Sequence, residues 1–277
     1  VVVNSVNDVP VIDTIADVTL DEDAPEQTVD LTGITAGGDE LQPIDISVAS
    51  GNAGLVAAKL VSPATLEGSL TSGLFAHYSL DNTTQDSSGN DRHGTLSDPS
   101  KIQAAADRFG NPDSAYEIQP RASIEVTPAN SLKPHANSGH VTYSMWLKPT
   151  TDGIFLNQYR HMNIPESHFY FAVGPNSMTI SGQGTDAYHP VWQSAMNEWH
   201  HYVIGYDGQT GEVDVWADGM FVGSDIVDIN PSDNSNQPFR IGFEPNAAPN
   251  DDGLVVVDDV SVFNRRLNQS EIIDLYT

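Results

Sequence analysis

Residues Gly253 to Tyr276 read GLVVVDDVSVFNRRLNQSEIIDLY. A β-branched run up to Phe263 has the composition of a strand, and Leu267, Ile272 and Leu275 then fall on one face of a short amphipathic turn. Inside the strand stands the acidic pair Asp258 and Asp259. Side chains alternate across a strand, so one carboxylate can face solvent while the other points to the packed side. That second carboxylate must be neutralised, hydrogen-bonded or bound to a cation. The pair reads as one half of a calcium site, with Asp259 favoured as the ligand and Asp258 turned to water or to hydrogen bonds.

The totals set the frame. At 277 residues the chain can hold one large β domain and a smaller piece, each with a core. Its 38 acidic residues against 11 basic ones give a net charge of −27. This excludes electrostatic attraction to nucleic acid or to an anionic membrane surface. The acidic residues are scattered among Asn, Ser, Thr and Gly, as in solvated loops and cation-binding turns, rather than gathered in a tail. Cysteine is absent, so neither a disulfide framework nor a thiol redox motif is available. In a secreted protein that leaves calcium as the natural cross-link. No apolar run approaches the roughly 20 residues that span a bilayer, and no signal segment opens the chain. The opening VVVNSVNDVP reads as the end of a strand and a linker within a longer protein.

Residues 1–65 carry short apolar runs, Val9 to Ile15, Thr28 to Leu31 and Ile44 to Ala49, separated by acidic, Gly and Pro punctuation. That is the pattern of short antiparallel strands. The phrases VNDVPVI and TLDEDAPEQTVDLTGI resemble the Ig-like and cadherin-like repeats of large bacterial surface proteins. The resemblance implies calcium ligands at Asn7, Asp8, Asp21, Glu22 and Asp23; read without it, these are solvated turn residues. A full repeat has about seven strands, and four or five fit here, so the unit is expected to be partial. Residues 66–71 then read as a linker.

From residue 72, alternation over Leu74 to Leu80 gives a strand and Asp81 to Gly94 a polar loop. The loop sets Asp86, Ser88, Asn90 and Asp91 around Gly89, offering oxygens on a tightly turning backbone as a hard cation requires. Plain Asx-rich turns look the same. The phrases ADRFGNPDSAYEIQPRASIEV, VTYSMWLKP, NEWHHYVIGYDGQTGEVDVWADGMFVGS and VVVDDVSVFNRRLNQSEIIDLY follow the loop in order. Together they resemble the laminin G-like, concanavalin A-like jelly rolls of bacterial extracellular proteins, over residues 72–277. The resemblance implies an all-β fold, an antiparallel β-sandwich of about twelve to fourteen strands. It also implies a calcium ion tying Asp86 and Asn90 to Asp258 or Asp259, a long-range closure that stabilises without catalysing.

Other motifs in the chain have plainer roles. Glu212 and Asp214 share one strand face, as in glycosidases of this fold, but the third position of that Glu-x-Asp-x-x-Glu pattern is Ala217. The chain is therefore expected not to be an enzyme. His200 and His201 diverge to opposite faces and cannot chelate one ion; one is expected in the core near Trp199, the other over a sheet face. No zinc-type His spacing, nucleophile elbow or phosphate loop is present. Between Asn157 and Trp192, the residues Tyr159, His161, Tyr188, His189 and Trp192 stand among Gly, Asn and Pro. Aromatic faces beside polar groups suit sugar rings, which stack and also hydrogen-bond. The sequence thus points to a non-catalytic, calcium-dependent glycan-binding module, monomeric within a longer secreted or cell-surface protein, either an adhesin or a polysaccharide-degrading enzyme. A structural or protein-interaction module, docking on a surface protein, is the alternative, and a hydrolase or lyase is the remotest reading.

Overall fold

The structure is a computed structural model that describes residues 9–19, 21, 27–29, 31–35, 47–52, 58–60, 66, 68–127, 139–151, 153–158, 169–174, 177–182, 185–189, 196–227, 238–243 and 253–277. The chain divides into two compact units, residues 1–47 and 48–276. In the first, the described residues form a single antiparallel bridge, Val11 to Thr35, and no strand. Thr32 Oγ1 donates to Asp13 Oδ2 beside that bridge. Asp21 is exposed, while Asn7, Asp8, Glu22 and Asp23 lie outside the described residues.

The second unit is a sandwich of two antiparallel sheets. The strands in chain order are β1 (Leu74–Tyr78), β2 (Gly94–Leu96), β3 (Ile102–Ala105), β4 (Ala115–Ile118), β5 (Ser123–Val126), β6 (His140–Pro149), β7 (Gly153–Gln158) and β8 (Phe169–Gly174). They continue as β9 (Ser177–Gly182), β10 (Thr185–His189), β11 (His200–Asp207), β12 (Glu212–Ala217), β13 (Met220–Ile226), β14 (Phe239–Gly242) and β15 (Val255–Phe263), followed by the helix α1 (Gln269–Tyr276). One sheet runs β13-β12-β11-β6-β15-β4-β3, with β1 also on β15; the other runs β10-β9-β8-β7-β14-β5-β2.

Alternation builds the core. Tyr143, Met145 and Leu147 of β6, Tyr202 and Ile204 of β11, and Val213 and Val215 of β12 face Ile124, Phe171, Ile180, Phe239 and Ile241 of the other sheet in one buried cluster. The first sheet is also covered on its outer face. Val203, Trp216 and Phe263 pack there against Leu70, Leu267 and Ile272, with Leu275 partly buried alongside. The amphipathic end read from the sequence thus closes a second, smaller core. Leu70 comes from a 3-10 turn over Gly68–Thr71, so the stretch read as a linker contributes a buried side chain.

Hydrogen bonds fix that cover. Asn268 and Glu271 form a reciprocal capping box at the start of α1: the Asn268 N–H donates to Glu271 Oε2 at 2.9 Å and the Glu271 N–H to Asn268 Oδ1 at 3.0 Å. Arg265 donates to both Glu271 carboxylate oxygens, at 2.8 and 2.7 Å, and to the carbonyls of Ser69 and Ser72. One guanidinium therefore ties the last element of the domain to its first turn. Glu271 is 5% exposed, so removing its cation leaves a buried carboxylate with weakened partners. Replacing Arg265 by Ala is expected to lower the urea-unfolding free energy by about 1.5–3 kcal/mol; a change within about 0.5 kcal/mol would mean that the tether carries no stability.

Candidate functional site

The acidic pair sits at a seam. Val255, Val256 and Val257 of β15 pair with β4, whereas Val260, Ser261, Val262 and Phe263 pair with β1. Asp258 and Asp259 occupy the junction, where the register with β6 also shifts, and Asp259 has φ +44°. This is a β-bulge: two residues take the place of one, and the strand changes phase. Val257 and Val260 both belong to the central core. An unbroken strand with Val260 and Val262 facing inward would have sent Asp258 inward as well. The bulge turns both carboxylates to one side, where Asp258 Oδ2 and Asp259 Oδ2 accept from Arg108 Nη1 at 3.0 and 2.7 Å. The expectation that alternation separates the pair is corrected here.

Arg108 comes from the loop between β3 and β4, which Asp107 shapes by accepting from the amides of Phe109 and Asn111 and from the Asn111 side chain. Its guanidinium lies over the rings of Phe109 and Trp146, each 4.5 Å from the centroid. All three charged side chains are largely buried, with 11%, 3% and 12% exposure for Arg108, Asp258 and Asp259. Burial pushes the Asp258 carboxyl well above the ordinary range, and the charge of Asp259 adds to this while Arg108 opposes it. Asp81 and Asp107 are close enough to raise it further. Just before Asp81, the fully buried Leu80 has φ +59°, a conformation bulky residues seldom adopt.

The other half of the expected clasp is engaged elsewhere. Asp86 Oδ1 accepts from the amides of His77 and Ser88 and Oδ2 from that of Arg92, at 2.9–3.0 Å. Burial raises the Asp86 carboxyl, but hydrogen bonds from Ser88, His77 and Arg92 outweigh it and hold the group below its usual range. The Asn90 side-chain amide donates to the Leu74 and Phe75 carbonyls. Both residues stitch their own loop to β1, and among the described residues neither is hydrogen-bonded to Asp258 or Asp259. As a test of fit for calcium, both Asp86 carboxylate oxygens already accept amide hydrogen bonds, while Asn90 is anchored through its Nδ2. The seam does better: Asp259 Oδ1 is buried without a hydrogen-bond partner, and one guanidinium faces several carboxylates. Among the described residues, no three His, Asp or Glu side chains are already gathered at metal-binding distance.

The remaining residues singled out from the sequence fall in three places. Glu212 and Asp214 both ion-pair with Arg266, Glu212 at 2.9 Å. His200 Nδ1 meets Asp218 Oδ2 at 2.8 Å, and that hydrogen bond, against the effect of burial, raises the imidazole's pKa. His201 is buried between strands, bonded to Ser144 Oγ and near the Trp146 and Tyr276 rings rather than Trp199; burial holds it neutral by pushing its pKa down to about 3. On β10, Tyr188 pairs with Thr179 and His189 with Met178 of β9. Tyr159, His161 and Trp192 lie outside the described residues. Arg108 and Asp81 were missed by the sequence reading; the DRFG phrase around Arg108 carried the signal, since a lone Arg between two turn-forming residues begs for an acidic partner.

Because Arg108 is the cation nearest both carboxylates, Arg108→Met should leave the buried pair without its cation. The expected loss is about 3–5 kcal/mol of unfolding free energy at neutral pH; because the Asp258 carboxyl is pushed up to about 9 and already holds its proton in the folded state, variant and wild type should both gain stability on acidification toward pH 5 and the gap between them should persist. The sign follows from a folded pKa above the unfolded one: that group's contribution is greatest at low pH and falls as pH rises. Equal stability of variant and wild type across this range would remove the neutralising role.

Comparison with known proteins completes the picture. The model of the concanavalin A-like lectin/glucanases superfamily matches residues 122–273. No curated protein matches the chain. Among solved structures, the chain is similar to the binding domain of Paraclostridial Mosquitocidal Protein 1, with TM-score 0.57 and 16% identity over 75% of this chain and 52% of that one. It is also similar to domain 4 of AbnA, a GH43 extracellular arabinanase from Geobacillus stearothermophilus, in complex with arabinotriose, with TM-score 0.56 and 22% identity over 74% and 98% of the two chains. A third is the binding domain of Botulinum neurotoxin DC in complex with rat synaptotagmin II, at TM-score 0.56 and 14% identity over 75% and 52%. The chain thus spans about half the length of the toxin binding domains it matches. At these identities the similarity establishes a shared fold alone. With its two antiparallel sheets and the family model matching more than half of its residues, the chain belongs to the concanavalin A-like lectin/glucanases superfamily.

Proposed function

We propose that this chain is a non-catalytic glycan-binding module of a secreted or cell-surface bacterial protein, an adhesin or a polysaccharide-degrading enzyme. The observation that carries this reading is the state of the one glycosidase-like carboxylate pair singled out in the sequence. Glycoside hydrolysis needs one carboxyl to hold a proton while its partner acts as base or nucleophile. Glu212 and Asp214 are instead both ion-paired with a single guanidinium, that of Arg266. With Ala217 at the third position, a lectin-type sandwich without turnover is left. The net charge of −27 favours ligands that are not polyanions.

A calcium ion belongs to this reading, braced at the seam by Asp259 and Asp81 rather than by Asp86 and Asn90. The support is the buried, unpartnered Asp259 Oδ1 and the excess of carboxylates around Asp258. The ion would balance charge and join the loops that follow β1 and β3 to β15.

Two measurements separate these claims. On an array of plant and microbial glycans, the protein should bind at least one class in the presence of calcium; silence across a broad panel would overturn the glycan assignment. In thermal unfolding, chelation should lower the midpoint by several degrees, since removing a tightly bound ligand withdraws a few kcal/mol by mass action. An unchanged midpoint would remove the ion while leaving the glycan reading to the array.

A further inference from the structure

The turn between β12 and β13 is tied to two other elements at once. Asp218 and Gly219, with φ +50° and +73°, form the two-residue turn closed by the pair Ala217 and Met220. Asp218 is buried, and it binds the start of β11. Its Oδ1 accepts from the His201 N–H at 2.9 Å, its own N–H donates to the His201 carbonyl at 2.8 Å, and its Oδ2 meets His200 Nδ1 at 2.8 Å. On the other side, the Gly219 carbonyl accepts from Gln269 Nε2 at 2.6 Å, and Gln269 Oε1 accepts from Trp216 Nε1 at 3.0 Å. The Tyr276 ring lies against Gly219, where an added Cβ would come within 3.4 Å of it. Gln269 and Tyr276 are the first and last residues of α1, and Tyr276 stacks on Trp146 with ring centroids 5.5 Å apart. The turn is therefore the joint between β11 and the helix that covers the first sheet.

We propose that this joint is a pH-sensitive latch: protonated His200 locks the turn onto β11 and seats α1, and neutral His200 lets both slacken. Of the three hydrogen bonds between turn and strand, the one to the His200 ring changes with its charge, from charge-assisted to neutral. The groups that face His200 are Asp218 from the turn, Glu198 from the segment before β11 and the Tyr202 ring on β11 itself, while β6 sets the apolar Leu147 opposite it. The hydrogen bond to Asp218 raises the imidazole's pKa, burial opposes this, and the charges of Asp218 and Glu198 add to the rise. With the folded pKa above the unfolded one, the contribution is fully present below about pH 6.5 and is lost as pH rises through the folded value. His201 takes no part in that titration, because burial pushes its pKa down to about 3 and it is neutral on both sides of the change. Asp218 holds the strand and Gly219 holds the helix, so a change in the grip on one residue is passed directly to its neighbour.

The test follows the whole chain by NMR between about pH 6 and about pH 9. It reads the His200 ring titration together with amide exchange, corrected for intrinsic rate, at Asp218 in the turn and at Ile272, whose N–H donates to the Asn268 carbonyl at the start of α1. His200 is expected to titrate above about 6.5. As it loses its proton, protection at both amides should fall several-fold, and the Trp216 indole N–H signal should shift over the same range. Asp218→Asn keeps an oxygen for the His201 amide and tolerates the positive φ while removing the charge, and it should flatten the pH dependence. His200→Gln keeps a neutral donor and should hold the slack state at every pH; it carries the test if the first variant fails to fold. Three results would each overturn the latch: a His200 that titrates at or below about 6.5, Ile272 protection that stays constant while His200 titrates, or a pH dependence that survives in a folded variant.

Discussion

Everything in the first sheet depends on how a buried charge imbalance is managed where β15 changes neighbours. The strand is shared by β4 along its first half and by β1 along its second. Neither neighbour covers the junction, and a continuous phase would have driven a carboxylate into the core. The bulge at Asp259 resolves the phase, and Arg108 resolves the charge. Because the guanidinium also lies over the Phe109 and Trp146 rings, it anchors the β3–β4 loop over the seam. Two acids crowd one base at the seam, and burial together with the charge of Asp259 pushes the Asp258 carboxyl above its ordinary range.

Chain closure is made by direct contacts. The first and last strands pair directly, His77 Nδ1 is hydrogen-bonded to Ser261 Oγ across that pair, and Arg265 binds Glu271 together with the carbonyls of Ser69 and Ser72. Asp86 performs a related service at shorter range, gathering three amides of a loop that would otherwise bury unsatisfied donors. In a chain without cysteine, these charge-assisted contacts take the place of covalent links. The strong acidity of the chain is thus partly structural, with the buried Asp86, Asp107, Asp218 and Glu271 carboxylates each accepting from specific donors, and partly solvation of the loops.

The fold was legible because its signals are redundant. Alternating apolar residues, hairpin turns and the ordered family phrases all indicate an antiparallel sandwich, and the amphipathic stretch from Leu267 to Leu275 packs as its spacing implies. What the sequence hid is what alternation cannot encode. A bulge breaks the period of two, so Asp258 and Asp259 were assigned to opposite faces when they share one. The phase of Val260 and Val262, with Ser261 between, held the clue, since it forces Asp258 inward unless the strand slips. Likewise Asp86, Ser88 and Asn90 form the oxygen-rich loop expected from their spacing, but the donors that satisfy Asp86 are backbone amides, which no side-chain pattern reveals. The His200–Asp218 pair was invisible for a third reason: the two residues are apart in sequence and meet only because the turn after β12 returns to the start of β11.

The central claim is that Arg108 is energetically coupled to the acid pair rather than merely adjacent to it. The most direct measurement is a double-mutant cycle of Arg108→Met and Asp258→Asn, with unfolding free energies determined in urea at neutral pH and in chelator. Removing Asp258 should relieve the imbalance that the Arg108 variant creates, so the two changes together should be less destabilising than their sum by about 1–3 kcal/mol. Strict additivity, within about 0.5 kcal/mol, would contradict the account and reduce the seam to an ordinary surface contact.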